Sequence, residues 1–367
     1  MKRRDFITAA GLLGTVIVLP FQKIFGIGIS AGDDTKKWTD LIDYARWCPS
    51  PHNVQPWKMK LISKKEAHLY YDPTRVPFTV DRNTSFTIAG MGMFIECLNI
   101  AARQSGNKIV AEHEPEEHLE YNSAGLKLFA KLYLVETDEK AAIDPELIKQ
   151  RRTSRLHYDG RILSAEIVAV LRSVTARYGH NLIYSSDKEL IEYVTELNAR
   201  SIVTEADNDD ARNEMSHWIR TTDTDAEEKK DGLWYRCLDT SGRMLHNFFF
   251  KHQRFTGKWK RKMAEKMLTK SMRGTANIAW ITGRFENRNH WVNAGIMLQH
   301  LWLEMTKYNV YMHPLGTIVT TQPAYKEFCE KINFNETENT LWLLVRLGYS
   351  NEPPRSFRLE TKDILMA

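Results

Sequence analysis

The 367-residue sequence is poor in the residues that would mark several protein classes. It holds four cysteines, Cys48, Cys97, Cys237 and Cys329, far apart and with no Cys-x-x-Cys pair. A disulfide framework is excluded, and the thiols read as small buried hydrophobes or at most one long-range bridge. Nineteen glycines and twelve prolines are too few for a collagen-like or low-complexity chain. There is no Gly-x-Gly-x-x-Gly after a strand, no phosphate-loop Gly-x4-Gly-Lys-Ser/Thr, no Gly-x-Ser-x-Gly and no His-Glu-x-x-His. Gly90 and Gly92 fall inside a helical run, so they do not form a nucleotide loop. His113 and His118 sit among Glu112, Glu114, Glu116 and Glu117, but Pro115 breaks any helical register. An acidic loop fits better than a metal site. What remains is an ordinary globular balance, 43% hydrophobic and 26% charged, on a chain long enough for about two domains.

The net charge of +5 is concentrated at one end. Residues 1–31 hold Lys2, Arg3, Arg4 and Lys23 against Asp5, a balance of +3 that leaves the remainder at +2. A whole-protein nucleic-acid footprint therefore lacks support. Arg3-Arg4-Asp5-Phe6-Ile7 precedes an apolar run that ends before Pro20. The run is too short for a comfortable span and resembles a twin-arginine export signal, with Ile29-Ser30-Ala31 as the cleavage region. A periplasmic location is expected, with an uncleaved membrane anchor as the alternative.

Periodicity predicts helices over 38–47, 86–104 and 291–308, and strands over 59–62, 69–71, 126–135 and 340–347. The helix from Phe86 is apolar nearly all round, as a buried helix is, and its small residues mark close approach by a neighbour. Ala89-Gly90-Met91 aligns with Ala294-Gly295-Ile296, and a strand follows each helix, which reads as a weak internal duplication. The halves are placed at 32–150 and 151–367, with a charged insert at about 205–275. In that insert, Glu205 to Asp231 carries ten acids against four bases. Lys251 to Arg273 then carries nine bases against Glu265, with Phe248, Phe249, Phe250, Phe255 and Trp259 in or beside it. Three readings stand: facing solvated helices of opposite charge, a cover over a site, or a patch for a polyanion such as anionic lipid or nucleic acid.

Three segments carry chemistry. Pro49-Ser50-Pro51-His52-Asn53-Val54-Gln55-Pro56-Trp57 fixes its backbone with three prolines and offers Ser50, His52, Asn53 and Gln55 on a rigid frame. Its amides could answer the N–H and C=O groups of a planar heterocycle, or cap the loop's own backbone. Arg151-Arg152-Thr153-Ser154-Arg155 offers guanidinium forks and hydroxyls to phosphate oxygens; on a helix Arg151 and Arg155 would share a face. Pro353-Pro354-Arg355-Ser356-Phe357-Arg358 follows the last strand as a stiffened tail with two arginines, suited to a phosphate or to a carboxylate of its own fold.

These runs, with His313-Pro314-Leu315 after the Ala294 helix and the closing Arg-Leu-Gly-Tyr to Pro-Arg tail, occur in an order that resembles the nitroreductase-like flavoproteins. More narrowly, the chain resembles their tandem branch, with two such halves in one chain. The resemblance implies an α+β fold, a central mixed or antiparallel sheet flanked by helices, in two pseudo-repeated halves that mimic the family's dimer within a monomer. It implies FMN as cofactor. Arg151, Arg152, Thr153, Ser154 and Arg155, with Arg355 or Arg358, would hold its phosphate. Pro49, Ser50, His52, Asn53 and Gln55 would border the isoalloxazine, and backbone N–H groups near Leu315 and Gly316 would approach the flavin N5 and O4 edge. The motifs fall once each, so one FMN per chain is expected.

The implied function is an FMN-dependent oxidoreductase reducing a nitroaromatic, a quinone or a similar acceptor, with the flavin carrying the chemistry and no catalytic side chain of its own. NAD(P)H is not expected outside the cytoplasm, so the donor would be a quinol or a redox partner protein. The alternatives are an FMN-sequestering protein with little turnover and a membrane-surface binding module. No metal and no nucleic acid are expected, and membrane contact would run through the leader alone if it stays attached.

Overall fold

The computed structural model describes residues 34–139, 142–251, 257–337 and 339–366. The leader and Phe255 lie outside the described residues. The first sheet grows from period-2 patterning. β1 (Trp57–Leu61) and β2 (Glu66–Tyr71) form a hairpin in which Trp57 faces Tyr71 and Leu61 faces Ala67. Trp57, Met59, Ala67, Leu69 and Tyr71 turn inward and are buried. β3 (Asn107–His113) and β4 (Lys127–Glu136) complete an antiparallel sheet in the order β1-β2-β4-β3.

The second sheet repeats that order with β5 (Asn181–Ser185), β8 (Asn277–Gly283), β10 (Thr340–Gly348) and β9 (Tyr311–Pro314), again antiparallel throughout. Every residue of β8 is buried, as expected of a strand covered on both faces. Connections match as well. α1 (Asp34–Ala45) precedes β1, and α4 (Ala165–Ala176) precedes β5. α2 (Ser85–Arg103) follows β2, and α10 (Arg288–Lys307) follows β8.

α2 and α10 cross at the centre of the molecule. A Cβ on Gly92 would stand 2.5 Å from the Val292 carbonyl oxygen, and one on Gly295 would stand 2.0 Å from that of Ala89. Only glycine permits this approach. The reciprocal pairs, Gly92 with Val292 and Gly295 with Ala89, describe a local two-fold relation. It matches Gly92 to Gly295 and Ala89 to Val292, two residues out of step with the alignment expected from the Ala-Gly runs. Asp81 takes the place of an N-cap for α2, accepting from the Phe86 and Thr87 N–H groups at 3.2 and 2.8 Å. One core cluster runs from both helices into both sheets.

The charged segment lies between β5 and β8. α5 (Lys188–Glu205) sends Ile191, Val194 and Leu197 into a second core cluster with Phe328 and Leu344. α6 (Asp209–Trp218), β6 (Ile219–Arg220), α7 (Asp223–Lys229), β7 (Leu233–Trp234), α8 (Gly242–Phe250) and α9 (Lys258–Ser271) follow. Two connecting stretches tie the sheets together. After α3 (Glu146–Gln150), Thr153 bridges to Met312 on β9. Past β10, the tail returns to the first sheet, where Leu365 bridges to Met59 on β1 just after α13 (Thr361–Ile364). The remaining helices, α11 (Gly316–Thr320) and α12 (Gln322–Lys331), cover the far side of the second sheet.

Candidate functional site: a buried arginine cluster beside a latched insert

The Pro49–Trp57 loop leaves α1 and enters β1. His52, Asn53 and Gln55 hold φ values of 46°, 58° and 50°, a left-handed conformation uncommon without glycine. Local hydrogen bonds fix it: the Asn53 N–H donates to the Ser50 carbonyl at 3.0 Å, and the Gln55 N–H to Ser50 Oγ at 3.0 Å. Three left-handed side chains in four residues cost on the order of 1–3 kcal/mol each, a strain that accumulates at functional sites. The amides then reach outward. Asn53 Nδ2 donates to the carbonyls of Gly232 (3.1 Å) and Phe357 (3.2 Å). Gln55 Nε2 donates to the Lys230 carbonyl at 2.9 Å, while its Oε1 accepts the Leu359 N–H at 2.9 Å. The loop thus latches both the insert and the C-terminal tail. Gln55 has its amide engaged at both ends by backbone. Trp57 lies in the core, stacked on Phe94 at 4.7 Å.

Residues 151–155 are extended, not helical. α3 ends at Gln150, and the bridge from Thr153 to β9 draws the chain out. An extended chain alternates its sides, so Arg151 and Arg155 still share one face while Arg152 and Ser154 share the other. The partners follow that division. Arg152 donates to the Pro353 carbonyl at 2.7 Å and pairs with Glu352 at 2.6 Å, and Ser154 meets Ser350 at 2.8 Å. These two fasten the tail, so neither Arg152 nor Ser154 stands ready for a phosphate as the motif alone implies. Arg151 and Arg155 turn inward instead. Arg151 lies over the Trp302 ring at 4.5 Å and donates one N–H to the Trp47 carbonyl at 3.3 Å. Arg155 makes a 3.4 Å contact with the Cys237 carbonyl and carries its charge next to His52 and His313.

The tail adds two unequal arginines. Arg355 is exposed and stacks on Trp47, 3.4 Å from the ring centroid. Arg358 is buried, 9% exposed, and bonds only to neighbours in its own tail, Ser356 Oγ at 2.5 Å and the Phe357 carbonyl at 3.0 Å.

Arg151 and Arg358 form the centre of this arrangement. Among the described residues, Arg151 Nε and Nη1 and Arg358 Nε are buried with no hydrogen-bond partner, as are His52 Nδ1 and Asn53 Oδ1. Among the described residues the cations that act on Arg358 are Arg151 and Arg355, with the Cys48 and Cys237 thiols opposing them and no carboxylate beside them. Burial first, and then the Arg355 charge, push Arg151 down to about 10; burial and the charges of Arg151 and Arg355 push Arg358 down to about 9. Burial and the Arg155 charge push His52 down to about 4, so its ring is neutral at pH 7. The His313 ring is held well below its ordinary range by burial and by Arg155 and Arg346. Its Nδ1 faces Arg346 Nε at 3.0 Å. Arginine only donates, so the His313 proton resides on Nε2.

Leu315 departs from expectation. Its N–H donates to the Leu344 carbonyl at 2.8 Å and its side chain fills the second core cluster. That donor is taken by the sheet. Gly316 is exposed at the start of α11, with open space where a Cβ would stand.

Composition and motif gave no sign of the clamp that seats the insert. Asp231 accepts from Arg220, at 3.2 Å from Nε and 2.5 Å from Nη2, and from Arg75 Nη1 at 3.0 Å. Arg75 also donates to the Val54 carbonyl at 2.7 Å, joining the clamp to the Pro49–Trp57 loop. The only sequence signal was acidic Asp231 directly before Gly232, whose φ of +74° sets the turn. On the other side of Arg75, a cleft of about 660 Å³ is lined by Val76, Phe78, Tyr121, Glu214, His217 and Trp218 among others. His113 is half-buried against Phe129 at the end of β3, not in a solvated loop, and no metal-holding group occurs among the described residues.

No family model matches the sequence, and no curated protein matches it. Solved structures with similar folds include a nitroreductase-like family protein from Bacillus cereus, 11% identical, at a TM-score of 0.35 over 58% of this chain and 89% of its own. Oxidised iodotyrosine deiodinase bound to FMN and 3-iodo-L-tyrosine is 14% identical, at 0.35 over 58% and 93%. The FMN- and NADPH-dependent nitroreductase of sphigopyxis sp. strain HMH is 11% identical, at 0.37 over 60% and 97%.

Proposed function

We propose that this chain is a nitroreductase-like FMN protein acting as an FMN-dependent oxidoreductase, with one cofactor per chain. The observation that carries the reading is the buried, anion-free pairing of Arg151 with Arg358. Burying a guanidinium costs several kcal/mol unless an opposite charge compensates it. Buried N–H groups without partners are rare and call for an explanation. A phosphate dianion answers both, and guanidinium forks match its oxygens. His52 Nδ1, next to the Arg155 charge, and Asn53 Oδ1, on the amide that holds the Phe357 carbonyl beside Arg358, are unpartnered among the described residues. The neutral ring and the amide oxygen suit the N–H edge of a flat heterocycle. Phosphate donors next to heterocycle acceptors fit a mononucleotide better than free phosphate.

Bound FMN would supply electron and hydride transfer at its ring, so the protein needs no nucleophile or acid–base triad. The chain's part is to bind and to enclose. Arg151 and Arg358 would hold the phosphate, and Arg155 would add charge from the same face of the extended 151–155 stretch. The left-handed loop fixes His52 and Asn53 against the ring edge, while Gly316 leaves room for close backbone approach. The Lys230–Cys237 stretch, latched by Asn53, Gln55 and Arg155, excludes water. The matching strand orders and the reciprocal glycine contacts support a tandem duplication, a monomer built like a dimer. The twin-arginine leader supports export, and so a quinol or protein electron donor. The acceptor is a small molecule of nitroaromatic or quinone type, or a redox partner.

One observation favours a second reading, FMN sequestration. Gln55 grips the insert and the tail at once, which suits retention more than exchange with an acceptor. Anaerobic photoreduction of the FMN-loaded full chain, followed by a nitroaromatic or a quinone, separates the two. Reoxidation within seconds supports the oxidoreductase. A flavin that stays reduced for hours supports sequestration. A colourless preparation that takes up no FMN overturns both.

A further inference from the structure

α9 presents a face that the arginine site does not use. Its inward side is conventional. Ala264, Glu265, Leu268 and Thr269 are half-buried on the side that packs on α5, and Arg261 pairs with Asp207. Its outward side is not. Trp259 is 75% exposed, Met263 51% and Met267 40%. At four-residue spacing they line up along one stripe of the helix. Nine large hydrophobic side chains are exposed among the described residues, and three of them fall on this one face. Singly scattered exposed apolar residues need no explanation, whereas a contiguous stripe does.

Charge frames the stripe. Lys258, Lys262 and Lys266 flank it on one side and Lys260 on the other, with Lys270 at its end. Among the described residues no carboxylate pairs with any of the five. Facing acidic helices, the unremarkable reading of this region, would have engaged them. Only Arg261, on the inward side, finds an acid.

We propose that the outward face of α9 lies flat on an anionic lipid bilayer. Trp259, Met263 and Met267 enter the headgroup boundary, and the lysines extend their stems along it to reach lipid phosphates. Charge complementarity selects the anionic surface, and the apolar stripe selects a bilayer over nucleic acid, because thioethers give a phosphate backbone nothing to bind. The contact is separate from the leader and from the FMN reading.

The test uses the full chain with Met263→Cys carrying a polarity-sensitive fluorophore, and the dye-treated wild-type chain as blank. The label reads α9 itself, whatever the leader does. Phosphatidylglycerol-containing vesicles should shift the emission to the blue, and 0.5 M salt should reverse the shift. Pure phosphatidylcholine should leave it unchanged. Trp259→Ala should weaken partitioning severalfold. Lys260→Glu, Lys262→Glu, Lys266→Glu and Lys270→Glu together should weaken it at least tenfold with an unchanged melting temperature, as all four side chains are exposed. No shift with the anionic vesicles, an equal shift with the neutral ones, or a charge-reversed variant that binds as before would overturn the proposal. So would a shift with duplex DNA and none with vesicles.

Discussion

The two sheets share a strand order and differ most in one connection. Four residues, Ile62 to Lys65, turn β1 into β2. Between β5 and β8 the chain instead runs through α5 to α9. The longer connection does not stay with its own sheet. It crosses to the loop before β1, where Asn53 and Gln55 hold the Lys230 and Gly232 carbonyls. A second contrast concerns buried cations. Arg288, at the start of α10, lies over the Phe129 ring at 4.3 Å and donates to the carbonyls of Glu116 and Phe129. Both of its Nη atoms are satisfied by protein. Among the described residues its Nε is unpartnered like that of Arg358, and the Glu116 and Glu114 carboxylates act on its charge, as none does on Arg151 or Arg358. Arg151 makes one such bond, and Arg358 is bonded only within its own tail. The scaffold is repeated; the unmet demand for an anion is local. This suits the single cofactor site proposed above, in a chain whose two sheets share one strand order.

The comparison can be broken at several points. Gly295→Val tests the shared crossing. The new side chain would be driven into the Ala89 backbone, and a loss of more than ~3 kcal/mol, or failure to fold, is expected in chemical denaturation. A mild effect would mean the two helices do not approach as described. Asp231→Asn tests the clamp by leaving Arg220 and Arg75 without their charge partner; breaking a buried pair costs about 3–5 kcal/mol. Limited proteolysis should then cut the 223–240 stretch first, with the first sheet staying protected. Gln55→Ala tests the latch and should cost about 1–3 kcal/mol, because the Leu359 N–H and the Lys230 carbonyl lose their partner. FMN release should quicken as stability falls.

A smaller effect follows from the histidines. Burial holds both His52 and His113 at about 4, below the ordinary 6.5 of an unfolded chain. Between those values the unfolded state binds more protons, so stability should fall as pH drops from about 6.5 toward 4 and be flat above. His113→Gln should flatten part of that slope in denaturant midpoints measured from pH 7 to pH 4. An unchanged slope would remove His113 from the account.

Much of this was readable beforehand where one principle acted alone. The apolar run from Phe86 to Ala102 had to be buried, and the alternation of Leu126 to Leu134 had to be a strand. The Pro49–Trp57 loop announced itself by its prolines. Partner choice was not readable. Arg151 and Arg152 are adjacent and alike, yet the pull of Thr153 toward β9 sends one inward and the other to Glu352. The Asp231 clamp joins residues from a turn after β2 and from the insert, and no spacing encodes that. β5 and β9 are too short to show a period, and β8 lacks alternation because both its faces are covered.

The most direct test is a pair of signs. Arg151→Met and Arg358→Met keep volume and remove a buried charge. Without FMN each should raise the melting temperature of the full chain. FMN affinity by calorimetry should fall at least tenfold in each, since a hydrogen bond to a charged group contributes about 1.5–3 kcal/mol. Unchanged FMN affinity in both variants, or a lower melting temperature without FMN, would contradict the claim that these guanidinium groups are buried to receive a phosphate.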